Sequence, residues 1–97
     1  MAVENLVLIR GLLREVGHWG SFPSRVQELL PQTNVLCIDL PGVGEFSRIK
    51  PPFHVSEMAD FLDQKIVART KGSVGLCAVS LGAMVALEMF AQYPSHY

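Results

Sequence analysis

The sequence predicts an α/β fold: a three-layer domain in which a parallel β-sheet is flanked by helices, in the order β-α-β-α-β-α. Two observations carry that prediction. Three short apolar runs, Leu6-Val7-Leu8-Ile9, Val35-Leu36-Cys37-Ile38 and Val74-Gly75-Leu76-Cys77-Ala78-Val79, lack polar alternation, the pattern of strands covered on both faces. Each run leads, directly or through a turn-rich stretch, to apolar residues at helical spacing. Alternation of this kind favours parallel strands joined by right-handed crossovers.

The first strand ends at Arg10-Gly11. A loop through residues 12–20 leads to Ser21, a candidate N-cap, and Pro23 suits the first turn of a helix. Phe22, Val26, Leu29 and Leu30 then fall at i, i+4, i+7 and i+8 on one helical face, and Pro31 stops the element. After the second strand comes Asp39-Leu40-Pro41-Gly42-Val43-Gly44, a turn-rich loop. Pro51-Pro52 excludes helix locally, Ser56 offers a cap, and Met58, Phe61, Leu62 and Ile66 mark the apolar face of a second helix. Lys71-Gly72-Ser73 breaks the chain before the third strand. The last helix, from Leu81 to about Gln92, is apolar nearly all round and is therefore expected to be buried, and Tyr93-Pro94 ends it.

Composition narrows the function classes. At 97 residues, 49% hydrophobic and 18% charged, the chain has the make-up of one globular domain that buries about two-thirds of its unfolded surface. A formal net charge of −1 with scattered Lys and Arg gives neither a nucleic-acid patch nor a polybasic membrane signal. No apolar run approaches the roughly 18 residues of a membrane span, and Glu4 puts an acid where a signal peptide needs positive charge, so a cytoplasmic location is expected. Cys37 and Cys77 lie inside apolar runs, which suits small buried core residues better than a disulfide or a metal site.

Ligands of open parallel sheets bind beyond the carboxyl ends of the strands. Arg10-Gly11-Leu12, the Asp39 loop and Ser80 all lie at that edge. Ser80 stands alone between the third strand and the last helix, with small Ala78, Gly82 and Ala83 around it. A sharp bend there holds the hydroxyl clear of a backbone in sparsely populated φ/ψ, and the helix start aims unpaired N–H groups at whatever approaches. The plainer alternative is a serine that caps the helix.

Ala78-Val79-Ser80-Leu81-Gly82 resembles the G-x-S-x-G nucleophile elbow of α/β-hydrolases, with Ala in place of the first Gly. Arg10-Gly11-Leu12 stands where that family has His-Gly-x, and Trp19 where many members carry a tryptophan. Asp39-Leu40-Pro41-Gly42-Val43-Gly44 resembles the family's D-x-P-G-x-G loop. Three departures bear on the subfamily: Arg10 for His, Phe46 for the Ser that closes the loop, with Ser47 one step late, and Gly82-Ala83 for Gly-Gly. Arg10 either favours an anionic group on the substrate or lies exposed at the strand end. The resemblance implies a cofactor-free serine hydrolase of a small-molecule acyl substrate, working through acyl-Ser80, with the backbone N–H groups of Leu81 and Leu12 as oxyanion donors. It also makes the first strand central, with Cys37 and Cys77 on its two neighbours about 10 Å apart.

In that family an acid and then a histidine follow the serine, from loops after later strands. His96 is the only histidine after Ser80, and it lies roughly 20 Å away at about 1.5 Å per helical residue. His18 is on the correct edge, but no acid is evidently placed to orient it; a solvated or core-edge position beside Trp19 suits it better. His54, after two prolines, is expected to be exposed, and Asp39 to hydrogen-bond the turn it opens. Residues 1–97 are therefore expected to form the N-terminal part of a single larger domain, with the edge of the third strand open to the rest of the sheet or to another chain. Two other readings stand beside the hydrolase: a non-catalytic binding protein of the same fold, and a phosphate- or nucleotide-binding module using the helix start at Ser80. Against the last, the turn lacks G-x-x-x-x-G-K-[ST].

Overall fold

The apolar runs form the strands β1 (Asn5–Ile9), β2 (Asn34–Ile38) and β3 (Val74–Ala78) of one parallel sheet, in the order β2-β1-β3. The computed structural model describes residues 3–11, 16–52 and 54–97. The helices α1 (Phe22–Leu29), α2 (Val55–Arg69) and α3 (Leu81–Gln92) alternate with the strands, and short 3-10 turns at Val16–Trp19 and Gly44–Phe46 occupy stretches that read as loop.

β1 is central and its Val7, Leu8 and Ile9 are fully buried. Val7 and Ile9 belong to one cluster with Ile38, Leu62, Ile66, Val85 and Met89, so α2 and α3 pack together over one face of the sheet. α1 packs on β2, apart from that pair. Leu8 is in register with both Cys37 and Cys77, which sets the two thiols two strand spacings apart, about 10 Å, too far for a disulfide. Both cysteines are half-buried, less enclosed than their apolar surroundings in sequence imply. Burial, with a contribution from Asp39, pushes the Cys37 thiol up.

Asn5 supplies a polar staple at the amino end of the sheet. It is buried, its side-chain nitrogen donates to Lys71 O at 2.7 Å and Ser73 O at 3.0 Å, and its oxygen accepts from Asn34 at 3.2 Å, so one side chain ties all three strand starts together. Satisfied in this way, its burial carries little penalty.

Several local expectations need correction. Ser21 occupies the cap position of α1 with an αR backbone and no side-chain cap bond, because a capping side chain needs the extended conformation; Ser24 Oγ instead donates to Ser21 O at 2.9 Å. α2 starts at Val55 with extended His54 at the cap position, so Ser56 already lies in the first turn. No residue of α1 is buried, and Phe22, Leu29 and Leu30 of its apolar face stay exposed. α3 is not buried all round. Gly82, Val85 and Met89 face the core, while Met84, Leu87 and Phe90 are 57%, 74% and 56% exposed, because no described element packs on that side.

Residues after α3 fold back onto α2. Asp63 is buried and accepts from Tyr97 Oη at 2.6 Å; His96 Nδ1 lies 2.8 Å from the same oxygen, and Tyr93 stacks on His96 while donating to Asp60. The hydrogen bond to Asp60 comes first in pushing the Tyr93 phenol up to about 12, and burial comes first in raising that of Tyr97. A raised phenol pKa means that the folded state holds the proton more tightly. The resulting stability is present below pH 10 and is lost as the pH rises through about 12. Thermal melts across that window should show a fall in Tm that is steeper for the wild type than for a Tyr93→Phe, Tyr97→Phe double variant.

Candidate active site

Ser80 is placed by two constraints on either side of it. Val79 N–H donates to Ile9 O at 3.2 Å, which keeps the end of β3 locked to β1 up to the bend. Directly after it, Ala83 and Met84 N–H donate to Ser80 O at 2.9 and 3.3 Å, so α3 begins with no intervening loop. The turn is made within one residue. Ser80 has φ 56° and ψ −128°, the one positive φ outside glycine among the described residues. A non-glycine residue there is strained by about 1–3 kcal/mol, and such strain is held at functional positions by the surrounding structure.

Two glycines make the bend possible. A Cβ on Gly82 would run into Arg10 O and lie 2.8 Å from Ile9 O, so the first turn of α3 rests directly on the backbone at the end of β1. A Cβ on Gly11 would lie 2.7 Å from Ser80 Cβ and 3.2 Å from Ser80 Oγ, so the hydroxyl sits over the Gly11 backbone. Ser80 is exposed and makes no side-chain cap bond, which removes the plain capping role. Leu81 and Gly82, as the first residues of α3, have N–H groups without intrahelical acceptors, and the positive end of the helix dipole lies at the same place.

The Asp39 loop forms a second wall. Asp39 is buried and accepts from Glu45 N–H at 3.1 Å; Gly44, at φ 53°, has no room for a Cβ because the Asp39 carboxylate occupies that space. Between this loop and Leu81 lies an apolar slot of about 100 Å³ lined by Leu40, Pro41, Val43, Pro51, Met58 and Leu81. Glycine-rich turn chemistry in the sequence pointed to this loop; its packing against Leu81 had no sequence signal.

Arg10 departs from the exposed strand-end position. It is half-buried, with its guanidinium carbon 4.9 Å from the centroid of Trp19, which also stacks on Phe22 at 5.4 Å. Leu12 lies outside the described residues. Of the histidines, His18 and His54 are exposed and His96 is engaged with Asp63 on the α2 side of the chain's end.

Strand-helix alternation, a central β1 and a strained serine at the carboxyl edge define an α/β domain that exposes a single hydroxyl at the β3-α3 bend. Residues 6–96 match the sequence model of the alpha/beta hydrolase family, and the chain belongs to that family. Among solved structures it is similar to one described as the type II thioesterase BorB from the borrelidin biosynthetic cluster, with a TM-score of 0.73 and 24% identity over 94% of this chain. The chain spans 36% of the length of that protein. Comparison with curated proteins gave no match. Among the described residues, no helix is long and apolar enough to cross a membrane.

Proposed function

We propose that this chain carries the nucleophile and the oxyanion-stabilising part of a serine hydrolase acting on an ester, thioester or similar small-molecule acyl substrate. The observation that carries this reading is the left-handed backbone of Ser80 at a strand-helix bend, with its hydroxyl exposed over Gly11. Ser80 Oγ attacks the acyl carbonyl carbon and gives its proton to a general base. The tetrahedral oxyanion accepts hydrogen bonds from the backbone N–H groups of Leu81 and Leu12. Collapse expels the alcohol or thiol, protonated by the same base, and leaves acyl-Ser80, which water hydrolyses. A missing oxyanion donor costs about 3–4 kcal/mol of transition-state stabilisation, so the seating of α3 on β1 bears directly on rate.

His96 is engaged with Asp63, and the family order that the resemblance implies places the acid and the base after later strands. We therefore assign residues 1–97 to the N-terminal part of a larger domain that adds an acid and a histidine beyond the unpaired edge of β3. The open edge, the exposed apolar residues of α3 and the groove of about 460 Å³ between them support that assignment. The chemistry needs no cofactor. The test is a fluorophosphonate probe applied to the protein expressed from its complete open reading frame, with peptide mapping. Modification at Ser80, absent in Ser80→Ala, is the expected result; an unmodified Ser80 under conditions that label a control serine hydrolase would overturn the reading.

A further inference from the structure

We propose that Arg10, stacked on Trp19, is the specificity-determining residue of the Ser80 site and receives an anionic oxygen group, a carboxylate or a phosphate monoester, carried by the acyl substrate. The inference rests on the reading of Ser80 as nucleophile and deepens it by naming a substrate class.

Arg10 directly follows the central strand, and its carbonyl supports Gly82 while the next residue, Gly11, supports Ser80. The side chain therefore starts at the rim of the site. It is half-buried, yet among the described residues it has no carboxylate partner, and its Nε is a buried donor without an acceptor. Trp19 Nε1 is a second buried donor without an acceptor. With the guanidinium carbon 4.9 Å from the Trp19 centroid, the two orphans belong to one patch. The unpartnered Nε of Arg10 and Nε1 of Trp19 are therefore two donors with no acceptor, placed together beside the end of β1.

A charge withdrawn from water without a counterion is unfavourable, and arginine remains charged at any physiological pH. The indole under the guanidinium offsets part of the desolvation. The planar guanidinium fork matches the two oxygens of a carboxylate or phosphate, which would also give the unpartnered Nε an acceptor. The slot beside Leu81 is lined by apolar residues and offers no charge to an anionic group, whereas Arg10 does.

The protein expressed from its complete open reading frame, as the Ser80→Ala variant so that the esters persist, is titrated by calorimetry with monomethyl succinate, methyl phosphate and the neutral dimethyl succinate. A saturable heat change with a monoanion and none with the diester is expected. Response to the carboxylate only, the phosphate only, or both assigns the source of the anion. Arg10→Gln should weaken binding at least about tenfold, and Arg10→Lys, which keeps the charge but not the fork, should fall between. Equal responses to the diester and the monoanions, or no response to any, overturn the proposal without needing an Arg10 variant. So does an Arg10→Gln chain that keeps its far-ultraviolet dichroism and the full response. The readout involves no turnover. An unlabelled Ser80 would therefore remove the nucleophile assignment and leave the anion site standing, whereas a flat titration removes the anion site alone.

Discussion

Gly82→Val destabilises the domain by about 1–3 kcal/mol or more and lowers Tm by roughly 5–20 °C. Valine brings a Cβ where Arg10 O already lies, with Ile9 O at 2.8 Å, and both obstacles are backbone that cannot rotate away. Replacing a helical glycine ordinarily gains something from propensity, but that gain is below about 1 kcal/mol and the clash outweighs it. Relief requires α3 to lift off β1, which moves the Leu81 N–H and Ser80 together. Misplacement of about 1 Å costs on the order of a hundredfold in rate, so activity should fall further than the loss of folded protein explains. Gly75→Ala is the matched control: a Cβ there would make only ordinary contacts, the nearest at 3.4 Å, and Tm should hardly move. Differential scanning calorimetry of the two variants checks both statements.

Ser80→Ala lowers kcat of the complete enzyme by on the order of 10⁴ to 10⁶, because the bond-forming atom is gone and the oxyanion donors alone retain little rate. Its stability should stay near that of the wild type, since the hydroxyl makes no cap bond that folding would lose. Ser80→Gly sharpens the contrast. Glycine adopts φ 56° without the side-chain penalty, so this variant should be about 1 kcal/mol more stable than the wild type while being equally inactive. A residue whose removal stabilises the fold and abolishes turnover is held in place for its chemistry. Melting curves and steady-state rates on the same preparations measure both effects.

Much of this was legible in the sequence because it follows from local composition. Uninterrupted apolar runs gave the strands, and the small residues around Ser80 gave the bend, since a one-residue reversal tolerates nothing larger. The face of α3 was misread for a physical reason: hydropathy reports what a helix can bury, not what is there to bury it. Leu87 is as apolar as any core residue and is 74% exposed because nothing described lies against it. Ser56 and Ser21 looked like caps by residue type, yet capping depends on an extended backbone that type alone does not specify. Other features had no sequence signal. The Asn5 staple, the Asp63 cluster and the stacking of Arg10 on Trp19 each join residues brought together only by the sheet order β2-β1-β3 or by the fold around it. Gly11 gave no sign in the sequence that it was the floor under the Ser80 hydroxyl, for its role lies in the atom it lacks.

The most direct measurement is an acid quench of the complete protein during turnover of a p-nitrophenyl ester, followed by mass mapping of its peptides. One acyl group is expected, on the peptide containing Ser80 and at that hydroxyl, accumulating at the rate of the nitrophenol burst. An acyl group on another residue, or turnover with a burst and no acylated peptide, would contradict it.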